Sequence, residues 1–139
     1  MKKVFVVLAI ICFMVSAAYA AVDSWKPANQ LTVAWDAVTT HGDGSALPEE
    51  AVISYEIVLA GEDHSNPVVL WSGESLTATL TLTQFGRFVI GIKSVMKVAG
   101  VVVSESEYGW SDDLLTATSG TFGVLYYKAP AKIVGFQMQ

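Results

Sequence analysis

The chain has few of the residues that usually carry out chemistry. One cysteine, Cys12, and two histidines, His41 and His64, occur in 139 residues. Cys12 sits in an apolar amino-terminal run expected to be removed. The mature protein would then have neither a disulfide nor a thiol nucleophile, and its stability must come from packing. No serine stands in a Gly-x-Ser-x-Gly elbow, and neither histidine belongs to a His-Glu-x-x-His arrangement. Neither a hydrolase triad nor a zinc-protease site is therefore written here. A reading without enzyme activity, cofactor or metal follows.

Positive charge is scarce too. Eight Lys and Arg stand against thirteen Asp and Glu. Without Lys2 and Lys3 the balance is six against thirteen, a net charge of about −7. A phosphate-binding face needs a basic patch, so nucleic acids and anionic membrane surfaces are poor partners. No Arg-Gly-Asp tripeptide occurs, and Asn66 is followed by Pro67, which bars N-glycosylation there.

The first twenty residues, MKKVFVVLAIICFMVSAAYA, account for much of the 53% apolar content. Lys2 and Lys3 form a basic start, Val4 to Val15 an unbroken apolar run, and Ala18-Tyr19-Ala20 a small-x-small cleavage site. That is the layout of a secretory signal peptide. The expected mature chain begins at Ala21 and is secreted or periplasmic, touching a membrane only in transit. The rival is an uncleaved anchor from Val4 to Val22. A lipid anchor at Cys12 is disfavoured because Ile10 and Ile11, not a small residue, precede it.

From Gln30 onward the pattern has period two. Leu31, Val33 and Trp35 alternate with Thr32, Ala34 and Asp36. The same holds for Ile53, Tyr55, Ile57 and Leu59, for Leu76, Ala78, Leu80 and Leu82 against a threonine row, and for Phe88, Ile90 and Ile92. Alternation of this kind predicts strands with one buried face. HGDGSALPEE, GEDHSNP, SGES, QFGR and VAGV supply the turns between them. No window has helical periodicity. The expectation is an all-β antiparallel sandwich or small barrel.

LTVAWDAV, a Gly- and Asp-bearing loop and ISYEIVLAG resemble strands B and C of a fibronectin type III domain. SLTATLTLTQFGRFVIGIKSV is similar to its E strand, E–F turn and F strand, and SESEYGWSDDLLTAT to its approach to strand G. The resemblance covers 31–118 and implies an immunoglobulin-like antiparallel β-sandwich. Its core signature would be Trp35 against Tyr55, with Leu80 and Phe88. Phe88 stands where the family usually has a tyrosine, so a hydrogen bond worth about 0.5–1.5 kcal/mol is missing. Residues 21–30 then form an amino-terminal segment too short for the usual A strand. Residues 119–139 form an extension with a strand-like tail, YYKAPAKIVGFQMQ.

WDAVTTHGDG gathers Asp36, His41 and Asp43, but its ligand count and spacing match no metal motif. It reads as a loop, with weak cation binding by Asp43 and Glu49 or Glu50 as the lesser reading. Thr77, Thr79, Thr81 and Thr83 read as the solvent face of a strand. Trp71, Tyr108 and Trp110 are the candidate binding surface, because aromatic rings near a sandwich edge stack on sugars or anchor protein partners. The function expected is a small exported binding or structural module of a surface or virion assembly, acting through loops and sheet edges. The alternative is a carbohydrate-binding module. The tail carries a further expectation, self-association by strand exchange.

Overall fold

The computed structural model describes residues 22–132, 134, 135, 137 and 138. Residues 1–20, expected to be a signal peptide, and Ile133 and Phe136 of the tail lie outside the described residues. The chain is all-β, with no helix among the described residues. Nine strands follow one another: β1 Ser24–Pro27, β2 Gln30–Ala34, β3 Ala51–Ala60, β4 Val68–Gly73, β5 Thr77–Thr81, β6 Gly86–Val98, β7 Val101–Glu105, β8 Gly109–Trp110 and β9 Phe122–Tyr126. They form two sheets. The larger has the order β1-β9-β6-β3-β4, with β7 and β8 also paired to β6, and the smaller is β2-β5.

The period-two residues meet between the sheets. Ile57 and Leu59 of β3, Ala78 and Leu80 of β5, Leu82, Ile90 of β6 and Val124 of β9 form the buried cluster. Leu31, Val33, Trp35, Phe88, Ile92, Phe122 and Tyr126 pack on it, partly buried. Leu76, in phase with this row, stays 41% exposed at the residue before β5. Thr77, Thr79 and Thr81 face solvent, and Thr32 and Thr79 share a hydroxyl hydrogen bond of 2.9 Å across the small sheet.

The sheet departs from expectation at both ends. The short lead-in forms β1, which runs parallel to β9 with Ser24 opposite Phe122 and Pro27 opposite Leu125, so the large sheet is mixed rather than antiparallel. A short edge strand tolerates Pro27, whose missing N–H leaves no inner ladder bond unmade. Phe122–Tyr126, part of the anticipated extension, lies inside the sheet between β1 and β6. Paired strands therefore reach from Ser24 to Tyr126, beyond the 31–118 span.

The large sheet is covered over part of its outer face as well. Val58 and Val89 are 1% and 0% exposed although they alternate out of phase with the inner row. Gly91 pairs with both Val58 and Trp110, and a Cβ on Gly91 would lie 2.7 Å from the Trp110 ring. On β9, a Cβ on Gly123 would lie 2.4 Å from the ring of Trp25, which Arg87 caps at 4.1 Å. Mid-strand glycines here let indoles lie flat on the backbone.

Candidate functional site

The small sheet has an open edge. Trp35 donates its backbone N–H to Leu76 at 3.1 Å, and the Asn29 carbonyl accepts from Leu82 at 2.8 Å. Between them Leu31 opposes Leu80 and Val33 opposes Ala78. Hydrogen-bonded pairs alternate along an antiparallel ladder, so 29, 31, 33 and 35 bond to the β5 side. Gln30, Thr32 and Ala34 turn their N–H and C=O groups the other way. No strand pairs with that edge among the described residues.

The consequence is visible in burial. Ala78, Leu80 and Leu82, on the β5 side, are fully buried, while Leu31 and Val33 of β2 and Trp35 just after it are only half-buried. All six face the same core. The difference is a cleft of about 800 Å³ beside β2, walled by Leu31, Val33, Trp35, Ile57, Ile90, Ile92 and Phe122. Its far wall is the segment Thr116–Gly120. That segment belongs to a chain of turns between β8 and β9, held by Thr116 and Ala117 N–H groups on the Asp113 carbonyl and Gly120 on Ala117. Leu114 and Leu115, in the same turns, are exposed.

A second cleft of about 740 Å³ continues from the first and shares Trp35, Asp36, Ile92 and Gly109 with it. It leads towards His41, Leu47 and Glu105. Trp35 stands where the two join. Its ring meets Tyr55 and Trp71 edge-on, each at 5.5 Å between centroids. The Tyr55 hydroxyl accepts from the Val38 N–H at 3.0 Å, fixing the start of the loop after β2. The Trp35 Nε1 is buried and has no hydrogen-bond partner, alone in this among buried side-chain atoms of the described residues. Such a donor costs about 1–3 kcal/mol until an acceptor reaches it.

The three candidate aromatics do not converge. Trp71 turns inward onto Trp35 and the core. Tyr108 and Trp110 lie together on the outer face, 5.5 Å apart. Trp110 is stacked on His64 at 4.1 Å and 4°, and the His64 Nε2 lies 2.9 Å from both Asp112 oxygens. His64 holds a left-handed φ of 61°, a strain of about 1–2 kcal/mol that the stack and the Asp112 pairing offset. The Tyr108 hydroxyl donates to Glu56 at 2.7 Å, and Lys93 bridges Glu56 and Glu105 at 3.2 and 2.9 Å. Glu56 is held below the usual carboxylate range, first by the Tyr108 hydrogen bond and then by Lys93. Burial and the Glu56 carboxylate together push the Tyr108 phenol up. These rings spend their faces on protein contacts and close the outer face of the sheet.

The HGDG loop is closed by its own hydrogen bonds. The His41 N–H donates to Ser45 at 2.8 Å, and Asp43 accepts from the Ser45 backbone and hydroxyl at 2.9 and 2.6 Å. Those bonds depress the Asp43 carboxyl. Among the described residues no group of three or more His, Cys, Asp or Glu is placed to hold a metal ion.

Sequence reading missed the open edge, because alternation reports which face is buried and not which edge is paired. Gly91 and Gly123 were a usable signal of indoles lying on the sheet, since glycine inside a strand marks a close approach. Comparison with known proteins finds no matching family model, no similar curated protein and no similar solved structure.

Proposed function

We propose that this chain is an exported, non-catalytic binding module of the fibronectin type III-like, immunoglobulin-like class, serving a surface or virion assembly. It binds an extended polypeptide by strand addition at the free edge of β2. The observation that carries the reading is the half-burial of Leu31, Val33 and Trp35 beside an unpaired edge and an apolar cleft. An added strand supplies partners for the backbone groups of Gln30, Thr32 and Ala34, and its alternate side chains complete the core. The cleft is of the size that binding sites use, about 300–1,000 Å³.

The fold assignment is supported by order and contact. β2 and β5 stand for strands B and E, β3 and β6 for C and F, and β9 for G, with Trp35 on Tyr55 across the core. The parallel β1–β9 pairing and Phe88 are this chain's own departures. Export rests on the amino-terminal sequence and is checked by intact mass across cell fractions, where a chain starting at Ala21 outside the cytoplasm is expected.

A chain from Ala21 to Tyr127, which contains every strand of the described residues, is offered a displayed library of twelve-residue peptides and a panel of oligosaccharides. Selected peptides should bind the parent and the Thr32→Ala variant but not Thr32→Pro. The Thr32 N–H belongs to the free edge, so proline blocks an incoming strand and leaves the β2–β5 ladder intact. Peptide binding that survives Thr32→Pro would sink the edge reading. So would binding confined to oligosaccharides and abolished by Trp110→Ala.

A further inference from the structure

We infer that the strand received at the β2 edge is the carboxy-terminal segment 128–139 of a second copy of this chain. The inference rests on the edge-binding reading above and names its occupant.

Three observations select that segment. The first is charge. Residues 22–127 hold four basic side chains, Lys26, Arg87, Lys93 and Lys97, against all thirteen acids, a net charge of about −9. Segment 128–139 holds Lys128 and Lys132 and no acid. A basic segment thus faces a body of net negative charge, and the attraction steers the two together at moderate ionic strength. Asp36 stands on the cleft wall at the far end of β2, and Lys26 is the cation on that wall.

The second is pattern. Val134, Phe136 and Met138 alternate with Gly135 and Gln137, so as a strand they present three apolar side chains on one face. β2 presents two half-buried apolar side chains, Leu31 and Val33, on its cleft face, and Trp35, the residue after its end, continues the row. Side chains on adjacent strands pair at matching positions, so the tail's apolar row matches Leu31 and Val33 of β2 and Trp35 just beyond it. Pro130 precedes the pattern and does not interrupt it.

The third is exposure. Val134 and Met138 are 85% and 98% exposed, and the described residues of the segment pair with no strand. The described residues of the segment therefore leave β2 of their own chain unpaired at that edge. An apolar strand face in one copy and a vacant edge in another make a heterologous contact, which grows head to tail instead of closing as a symmetric pair.

The test uses chains from Ala21 onward in sedimentation velocity and native mass spectrometry. The full chain should associate with rising concentration up to about 100 µM, while the chain ending at Tyr127 and the Thr32→Pro chain remain monomers. Phe136→Asp should also be monomeric, which removes dependence on the truncated form. The deciding arm mixes the Thr32→Pro chain, with a tail and a blocked edge, with the Tyr127-terminated chain, with an edge and no tail. A one-to-one heterodimer is expected, because each supplies what the other lacks. A full chain that stays monomeric, or a mixture that forms no heterodimer, overturns the inference. Association lost in Val102→Lys but kept in Thr32→Pro also overturns it, placing the contact on the exposed valines of β7. If library peptides bind the β2 edge while the full chain stays monomeric, the tail falls and the edge reading stands. If neither binds, both fall.

Discussion

The packing of Trp110 on Gly91 gives a prediction whose sign reverses with one substitution. An alanine Cβ at position 91 would lie 2.7, 2.9 and 3.0 Å from three ring carbons of Trp110. Carbon atoms prefer about 3.5–4.0 Å, so the ring must withdraw by roughly 1 Å. It is not free to do so, because His64 is stacked on it and tied in turn to the buried Asp112. Gly91→Ala should then cost about 1–3 kcal/mol, as overpacking does. With Trp110 replaced by alanine the obstacle is gone. The methyl group now restricts the unfolded chain and favours the strand by about 0.5–1 kcal/mol. The coupling between the two substitutions is therefore about 1.5–4 kcal/mol. The assay is urea denaturation of the parent, both single variants and the double variant, followed by circular dichroism. Fluorescence of Trp25, Trp35 and Trp71 would check that each transition has two states. A Gly91→Ala cost that is the same in both backgrounds would refute the packing described here.

Two further predictions concern single hydrogen bonds. Since the Glu56 carboxyl is depressed below its usual 4.5 by the Tyr108 hydroxyl and Lys93, its contribution is complete above that value. It is lost as pH falls through the lower folded value. In denaturant midpoints measured from neutral pH down to pH ~2.5, the parent should lose more stability than Glu56→Gln, with the gap narrowing at the acid end; parallel curves would contradict this. Tyr55→Phe removes the acceptor of the Val38 N–H and should cost about 0.5–1.5 kcal/mol. Hydrogen exchange at Val38 should quicken while the cores of β3 and β6 keep their protection, and an unchanged Val38 rate would rule the bond out.

Much of the architecture was legible in the chain because a strand with one buried face must alternate. Leu31 to Trp35, Ile57 to Leu59, Ala78 to Leu82 and Phe88 to Ile92 announced both their strands and their inward faces. Phe122, Val124 and Tyr126 carry the same signal. It is a short one, and it lies beyond the 31–118 span that the resemblance covers. Local sequence also determined the turns, since Asp43 and Asp63 cap their own loops through serines two residues on. Neither interaction depends on a distant part of the chain.

Tertiary structure alone decided the rest. Pairing is a choice among edges, and no periodicity states which edge a four-residue strand will take. β1 therefore joined β9 in parallel and left β2 open. Burial of the outer face depended on residues far apart in sequence, with Trp110 reaching Gly91 and His64 reaching Trp110 and Asp112. The same contacts turned two candidate binding aromatics, Tyr108 and Trp110, into the lid of a second packed layer. The sequence by itself determined that this chain builds strands with an apolar face, because side-chain direction follows from backbone geometry. Which edge stayed unpaired, and so where another strand can be received, was decided only when the whole chain competed for the same backbone hydrogen bonds.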